Sequence, residues 1–374
     1  MVSQSLEVPN FKFSCCIGKS FGGMANVYLA RKMKEQQQQQ QEGLGEGRFG
    51  YAVRLYPLDK SRLVLDALLK EVSVLGSLRH ANILRATETF LHDSSLVIVS
   101  PLMNFGSVKD VIHARFNYGL EETAIALILR DVAAALVYVH AMGYIHRSVR
   151  SSHILLSSNG GAKLSGFRHC IRLPQHLPCA SSNLLVHDFS PALKSSLLWL
   201  APEVLQQDLN GYGTKSDVYS LGITACEMAN GFPPFADMDE PLQMLYEKLM
   251  GTTPRLLDAN TLPHDDGAHF VQRDRRFSAA FHDLADLCLK TRPEDRIASS
   301  DLGGHVFFKQ LKKCRQTLAD LFLPMKPIAL PDGRAATSSP SCPGASTSSP
   351  TSMDLSETKT ESPIPVTPPS WNFS

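Results

Sequence analysis

Neither sign of charge dominates this chain: 37 lysines and arginines stand against 36 acidic residues, leaving a net charge of +1. So balanced a sequence has no basic field to collect nucleic acid or an anionic membrane, so specific protein contacts are expected and those two partners are not. Cysteine is thinly spread. The eight cysteines include one adjacent pair, Cys15 and Cys16, but no Cys-x-x-Cys spacing, which removes the usual zinc and redox signatures and leaves no structural metal expected. The first residues lack a basic stretch followed by an apolar block, and no uninterrupted apolar run reaches membrane-spanning length. Together these absences lead to the expectation of a soluble protein of the cytoplasm or nucleus.

A more telling absence lies between residues 140 and 168. The stretch contains His146-Arg147-Ser148-Val149-Arg150-Ser151-Ser152-His153 and then Lys163-Leu164-Ser165-Gly166-Phe167-Arg168. Its spacing resembles the protein-kinase pair H-R-D-L-x-x-x-N and D-F-G, whose Asp accepts the substrate proton and whose Asn and second Asp hold Mg²⁺. In this register the base position is Ser148, the Asn position is His153 and the second Asp position is Gly166. A serine hydroxyl is a far weaker base than a carboxylate, imidazole suits hard Mg²⁺ poorly, and glycine offers no ligand atom. The outline of a phosphotransfer loop is present without its chemical groups.

Other landmarks follow in the kinase order. Gly18, Gly22 and Gly23 lie in a strand–turn–strand pattern where kinase glycines let backbone amides approach phosphates, with Ser20 at the second glycine position. A plain hairpin turn explains the same residues. Residues 35–50 hold a six-glutamine run and read as a tolerated polar insertion. Tyr51-Ala52-Val53-Arg54-Leu55 matches V-A-I-K with Arg54 for the lysine, which keeps the charge but changes its geometry. The next helix, over residues 62–78, places Glu71 where kinases put the ion-pair partner of that cation; alone it reads as an exposed helical glutamate. Further on, Ala201-Pro202-Glu203 is an intact A-P-E, Asp217 opens a D-V-[WY]-S-x-G helix, and Arg296 ends Arg-Pro-Glu-Asp-Arg. Glu203 and Arg296 are read as a buried structural pair, and Asp217 as the anchor of the backbone around His146 and Arg147.

These landmarks imply an α+β, bilobal protein-kinase fold over residues 11–308, with a small β-rich lobe and a larger helical one. Residues 1–10 precede it, 309–330 form a helical extension, and 331–374, rich in Pro, Ser and Thr, are expected to be a disordered tail. The tail ends in Trp371-Asn372-Phe373-Ser374, whose two aromatics suit a short docking anchor. Within the kinase fold the chain resembles the STRAD family of pseudokinase adaptors, through Met142-Gly143-Tyr144-Ile145-His146-Arg147-Ser148-Val149, Leu164-Ser165-Gly166, Val186-His187-Asp188-Phe189 and Gly222-Ile223-Thr224-Ala225-Cys226-Glu227. That resemblance implies an allosteric activator of the liver tumour-suppressor serine/threonine kinase, in a heterotrimer with the helical-repeat scaffold called calcium-binding protein thirty-nine. It also implies docking of the scaffold by Trp371 and Phe373, although Asn372 replaces the family's glutamate. Nucleotide binding without hydrolysis is implied too; the residues themselves add the expectation that ATP binds without metal, with Arg54, Arg168 and a donor from His153 near the phosphates, and the alternative is an empty, collapsed cleft. Two other readings stay open from sequence: an atypical active kinase with displaced catalytic groups, and a nucleotide-responsive scaffold that does not activate a client.

Overall fold

The computed structural model describes residues 8–20, 23–33, 50–58, 62–158, 161–174, 185–238, 240–262, 270–322 and 325. The glutamine run, Gly22 and the Pro/Ser/Thr-rich tail with Trp371 and Phe373 lie outside them. The first lobe is a five-stranded antiparallel sheet of β1 (Phe11–Ser20), β2 (Ala25–Lys32), β3 (Tyr51–Pro57), β4 (Glu88–His92) and β5 (Ser95–Pro101), in the order β1-β2-β3-β5-β4. Helix α1 (Arg62–Ser77) crosses between β3 and β4.

The alternation of side chains along a strand decides what each face of this sheet does. Val53 and Leu55 of β3 join Val97 and Val99 of β5 and Phe11 of β1 in one apolar cluster. Tyr56, Leu96 and Ile98 turn to the other face and pack with Leu68 of α1. Arg54 shares the parity of Tyr56 and so faces α1, where Glu71 lies one turn beyond Leu68. Strand period and helix period together bring a cation and an anion from separate elements to one point.

The second lobe is built on α3 (Glu122–Ala141) and α5 (Lys215–Asn230), with α2 (Val108–Arg115), α4 (Pro202–Leu205), α6 (Pro241–Leu249), α7 (Phe270–Arg273), α8 (Ala279–Cys288) and α9 (Ser299–Leu302) around them. By length and composition α3 is apolar enough to cross a membrane, which the sequence reading had not anticipated because Arg130 and Asp131 interrupt it. Two thirds of its apolar window is buried inside the protein, as befits a core helix. Apart from Lys215, all of α5 is buried. Short strands carry the loops between the helices: β6 (Gly106–Ser107), β8 (Ile154–Ser157) and β9 (Gly161–Leu164) form one sheet, and β7 (Tyr144–Ile145) pairs with β10 (Ile171–Arg172).

The extension after the second lobe is not one continuous helix. A 3₁₀ segment, Val306–Lys312, ends in a break, and Thr317 then caps α10 (Leu318–Leu321) through a capping box with Asp320. The intervening Lys313-Cys314-Arg315-Gln316 has no apolar periodicity to continue a buried face. Phe322 follows, buried edge-on against Phe105 and Phe116 at 5.8 and 5.6 Å between ring centroids.

Candidate functional site

Two buried anchors fix the loop that runs from β7 to β8. Asp217, at the start of α5, accepts from the backbone N–H of His146 and of Arg147, both at 2.7 Å, and its Oδ2 lies 2.9 Å from His140 Nε2. Burial alone would push this carboxyl up, but the His140 contact and the backbone donor hold it below the usual carboxylate range. Lower in the lobe, Glu227 accepts from Ser151 Oγ at 2.5 Å and from Trp199 Nε1 at 2.9 Å, joining the loop to the segment before α4. Beyond α4, Arg296 holds Glu203 through two nitrogens at 2.8 and 3.1 Å, and also donates to the carbonyls of Lys215, Lys290 and Thr291.

At the first of these anchors Arg147 takes a left-handed backbone, φ +62°, and its buried guanidinium is engaged through Nε and Nη1. Nε donates to His169 O at 2.5 Å; Nη1 donates to Asp188 O at 3.1 Å and Tyr212 Oη at 2.9 Å. The Asp188 carboxylate lies 3.4 Å away. The chain around Val186–Asp188 is thus drawn onto Arg147, and Val186 forms an antiparallel bridge with Tyr212.

At the position of the kinase base, Ser148 is buried. Its Oγ lies 2.9 Å from Ser196 Oγ and 3.1 Å from His153 Nδ1. His153 Nδ1 is 2.8 Å from Ser148 O, so that nitrogen carries the proton, and Nε2 accepts from Arg150 Nη2 at 3.2 Å. Burial and the neighbouring Arg150 push His153 well below the usual imidazole pKa, which keeps it neutral. With both ring nitrogens occupied, His153 has no free N–H, so the sequence expectation that it donates to a nucleotide is corrected here. The ring fills another role. Gly166 has φ +82°, and a β-carbon built on it would lie 2.5 Å from His153 Nδ1 and 2.6 Å from His153 Cγ. The imidazole stands where a side chain at position 166 would need to be.

Three arginines, Arg54, Arg150 and Arg168, come near this loop, Arg168 within the fields of Arg150 and Glu71. Arg54 Nη1 lies 3.3 Å from Glu71 Oε1 and 3.4 Å from Tyr56 Oη, and Tyr56 Oη lies 3.2 Å from Ser20 Oγ of β1. Arg168 contacts His169 through Nε at 3.1 Å; burial lowers its pKa while the fields of Glu71 and Tyr56 pull it back up. Arg150 donates to Ser195 O at 2.6 Å and sits over the Trp199 ring. The Nε atoms of Arg54 and Arg150 are buried and have no hydrogen-bond partner among the described residues. Of the glycines, Gly18 lies within β1 opposite Val27, and Gly23 turns the chain with φ +89°.

Sequence reasoning left out Tyr56, Arg150, Ser196 and Glu227. Strand parity points to Tyr56, two residues after Arg54, and Arg150 is a charge inside the recognised loop. Nothing local marks Ser196, one of several serines in an irregular segment.

The whole arrangement is that of a protein kinase domain, and the signature of that domain matches residues 39–308. STE20-related kinase adapter protein alpha from Bos taurus is 38% identical over 347 residues, 85% of this chain and 89% of that protein. The alpha protein from Gallus gallus is 41% identical over 69% of this chain and 73% of its own length. The beta protein from Homo sapiens is 36% identical over 83% and 77%. With the kinase architecture intact and relatives of this similarity along most of its length, the chain belongs to the STE20-related kinase adapter family.

Proposed function

We propose that the chain is a catalytically inactive, kinase-shaped adaptor that binds a serine/threonine kinase of the liver tumour-suppressor type and raises its activity. One observation carries the reading: His153 occupies the space that a side chain at position 166 would need, while Arg54 and Glu71 remain paired at 3.3 Å. The cation–glutamate pair belongs to the active arrangement of a kinase. Here it coexists with a hydroxyl at the base position and no carboxylate at position 166. Groups that act as a unit in catalysis are lost together, so no turnover is expected from what remains. The closed shape is then useful to a partner. An adaptor shifts its partner toward activity only by binding the active form more tightly than the inactive one.

These residues also fit an anionic ligand, since Arg54 and Arg150 each keep a buried Nε with no hydrogen-bond partner among the described residues and Arg168 adds a third positive charge nearby. We infer that ATP binds there without metal, its phosphates neutralised by guanidinium groups. ATP would supply charge and shape to the closed form. The residues of this chain would bind and orient it.

Two measurements test the reading. Purified partner kinase is assayed on a peptide with and without this chain; the rate is expected to rise in its presence, with no phosphotransfer by the chain alone. Phosphotransfer by the chain alone that is lost in Arg54→Met would instead make it an active kinase. Thermal unfolding in EDTA is expected to shift upward with millimolar ATP, by about 2.7 kcal/mol of stabilisation at a ligand concentration 100 times Kd. No shift in EDTA would remove the metal-independent nucleotide from the reading.

A further inference from the structure

A nine-residue 3₁₀ helix, Pro191–Trp199, leads into α4. Runs of 3₁₀ beyond about three or four residues are uncommon because their hydrogen bonds are poorly aligned, so a helix of this length needs contacts at its ends to persist. Its far end has them. Trp199 Nε1 donates to Glu227 at 2.9 Å, and Lys248 Nζ donates to Leu198 O at 2.7 Å and Leu200 O at 2.9 Å. Its near end depends on Asp188.

The Asp188 carbonyl accepts from Arg147 Nη1 at 3.1 Å and from Tyr212 Oη at 2.6 Å. The Asp188 carboxylate meets Arg147 Nη1 through Oδ2 at 3.4 Å and accepts from Ser190 N through Oδ1 at 3.0 Å. Ser190 caps the 3₁₀ helix, its Oγ accepting from Ala192 N at 3.3 Å. One carboxylate thus connects the buried Arg147 to the first turn of the helix.

Arg147 needs an anion from this segment. Its side chain is 4% exposed, and a buried guanidinium without a counter-charge is costly. The Asp217 carboxylate lies close by but is taken up by the backbone N–H groups of His146 and Arg147 and by His140. Among the described residues, Asp188 is the carboxylate in ion-pair contact with the Arg147 guanidinium, and its side chain is 39% exposed, so the anion position opens to solvent. In kinases switched by phosphorylation, a new pair between arginine and phosphate orders this segment.

We infer that Arg147 is an anion site for a phosphate-like group and that Asp188 is its built-in occupant, so that residues 186–199 are ordered without phosphorylation. The inference stands apart from the adaptor reading, because its test needs only the chain itself. Phosphate carries more charge and more acceptor oxygens than a carboxylate. Emptying the position should therefore leave a site that inorganic phosphate fills.

The test uses the full chain and amide hydrogen exchange over residues 186–199, with α3 and α5 as the internal reference for global unfolding. Asp188→Asn keeps an acceptor for Ser190 N but removes the charge. Asp188→Ala removes both and leaves room for an ion. Residues 186–199 of both variants are expected to exchange roughly tenfold faster than in the wild type, with α3 and α5 unchanged. Millimolar inorganic phosphate is expected to restore slow exchange in Asp188→Ala, whereas chloride at matched ionic strength does not, and the wild type responds to neither. If Asp188→Asn exchanges like the wild type, Asp188 acts only through the turn at Ser190 and the inference fails. Absence of any phosphate effect in Asp188→Ala also overturns it, since the position is then not an anion site. Faster exchange throughout α3 and α5 would make Asp188 a prop of the whole lobe and overturn the inference as well.

Discussion

At Gly166 a substitution that looks like a repair should do harm. Placing an aspartate there supplies the carboxylate of a kinase, but its β-carbon would sit 2.5 Å from His153 Nδ1 on a backbone with φ +82°. His153 cannot retreat easily, because its Nδ1 is tied to Ser148 O and its Nε2 accepts from Arg150. Gly166→Asp is therefore expected to cost about 1–3 kcal/mol from overpacking and left-handed strain, read as a lower urea midpoint at constant slope. Adding His153→Asn should recover most of that loss, because the shorter side chain vacates the space. Equal stability of Gly166→Asp and the wild type would mean that the two positions are not coupled. The sequence alone shows both replacements and explains each by its lost ligand chemistry. That they exclude one another sterically follows from two loop conformations that no local pattern encodes.

Whole elements were far more legible. Kinase landmarks placed β3, α1, α3, α5 and the loop after β7, because strand and helix periods and spaced motifs are local properties of the chain. The parity of Arg54 and the turn of Glu71 could be read in the same way. What was not legible depends on irregular backbone: the approach of Ser196 to Ser148, the docking of Asp188 on Arg147, and the break before α10. The buried pair joining α4 to the 3₁₀ turn after α8 gives a test at this scale. Arg296 is buried and donates to Glu203 and to three carbonyls. Arg296→Met leaves the buried Glu203 uncompensated and is expected to cost about 3–5 kcal/mol in urea unfolding. The double variant Glu203→Leu, Arg296→Met should cost less than Arg296→Met alone, because no charge is left stranded. A double variant worse than the single one would show that the carbonyl contacts of Arg296 matter more than its ion pair.

For the molecule as a whole, the interior around the altered loop should govern how acid unfolds it. Three histidines from neighbouring turns, His146, His153 and His169, are packed there among Arg147, Arg150 and Arg168. Burial pushes His146 from its ordinary 6.5 down to about 4, and burial with the nearby Arg168 pushes His169 down to about 3; His153 moves the same way. In the folded protein all three are neutral where the unfolded chain would already be protonated. Below pH 6.5 the unfolded state then binds more protons than the folded state, so stability falls as pH falls and continues to fall toward pH 4 for His146 and pH 3 for His169. Above pH 6.5 neither state takes up these protons and their contribution is fully present. Between pH 7.5 and pH 5 each of the two is expected to remove about 2 kcal/mol of unfolding free energy. Urea titrations at the two pH values measure the sum. His169→Gln, which keeps a polar side chain beside Arg168 but cannot be protonated in this range, should flatten the dependence by about one such step. If that variant loses as much stability as the wild type between the two pH values, the acid sensitivity arises elsewhere, and His169 titrates alike in the folded and unfolded chain.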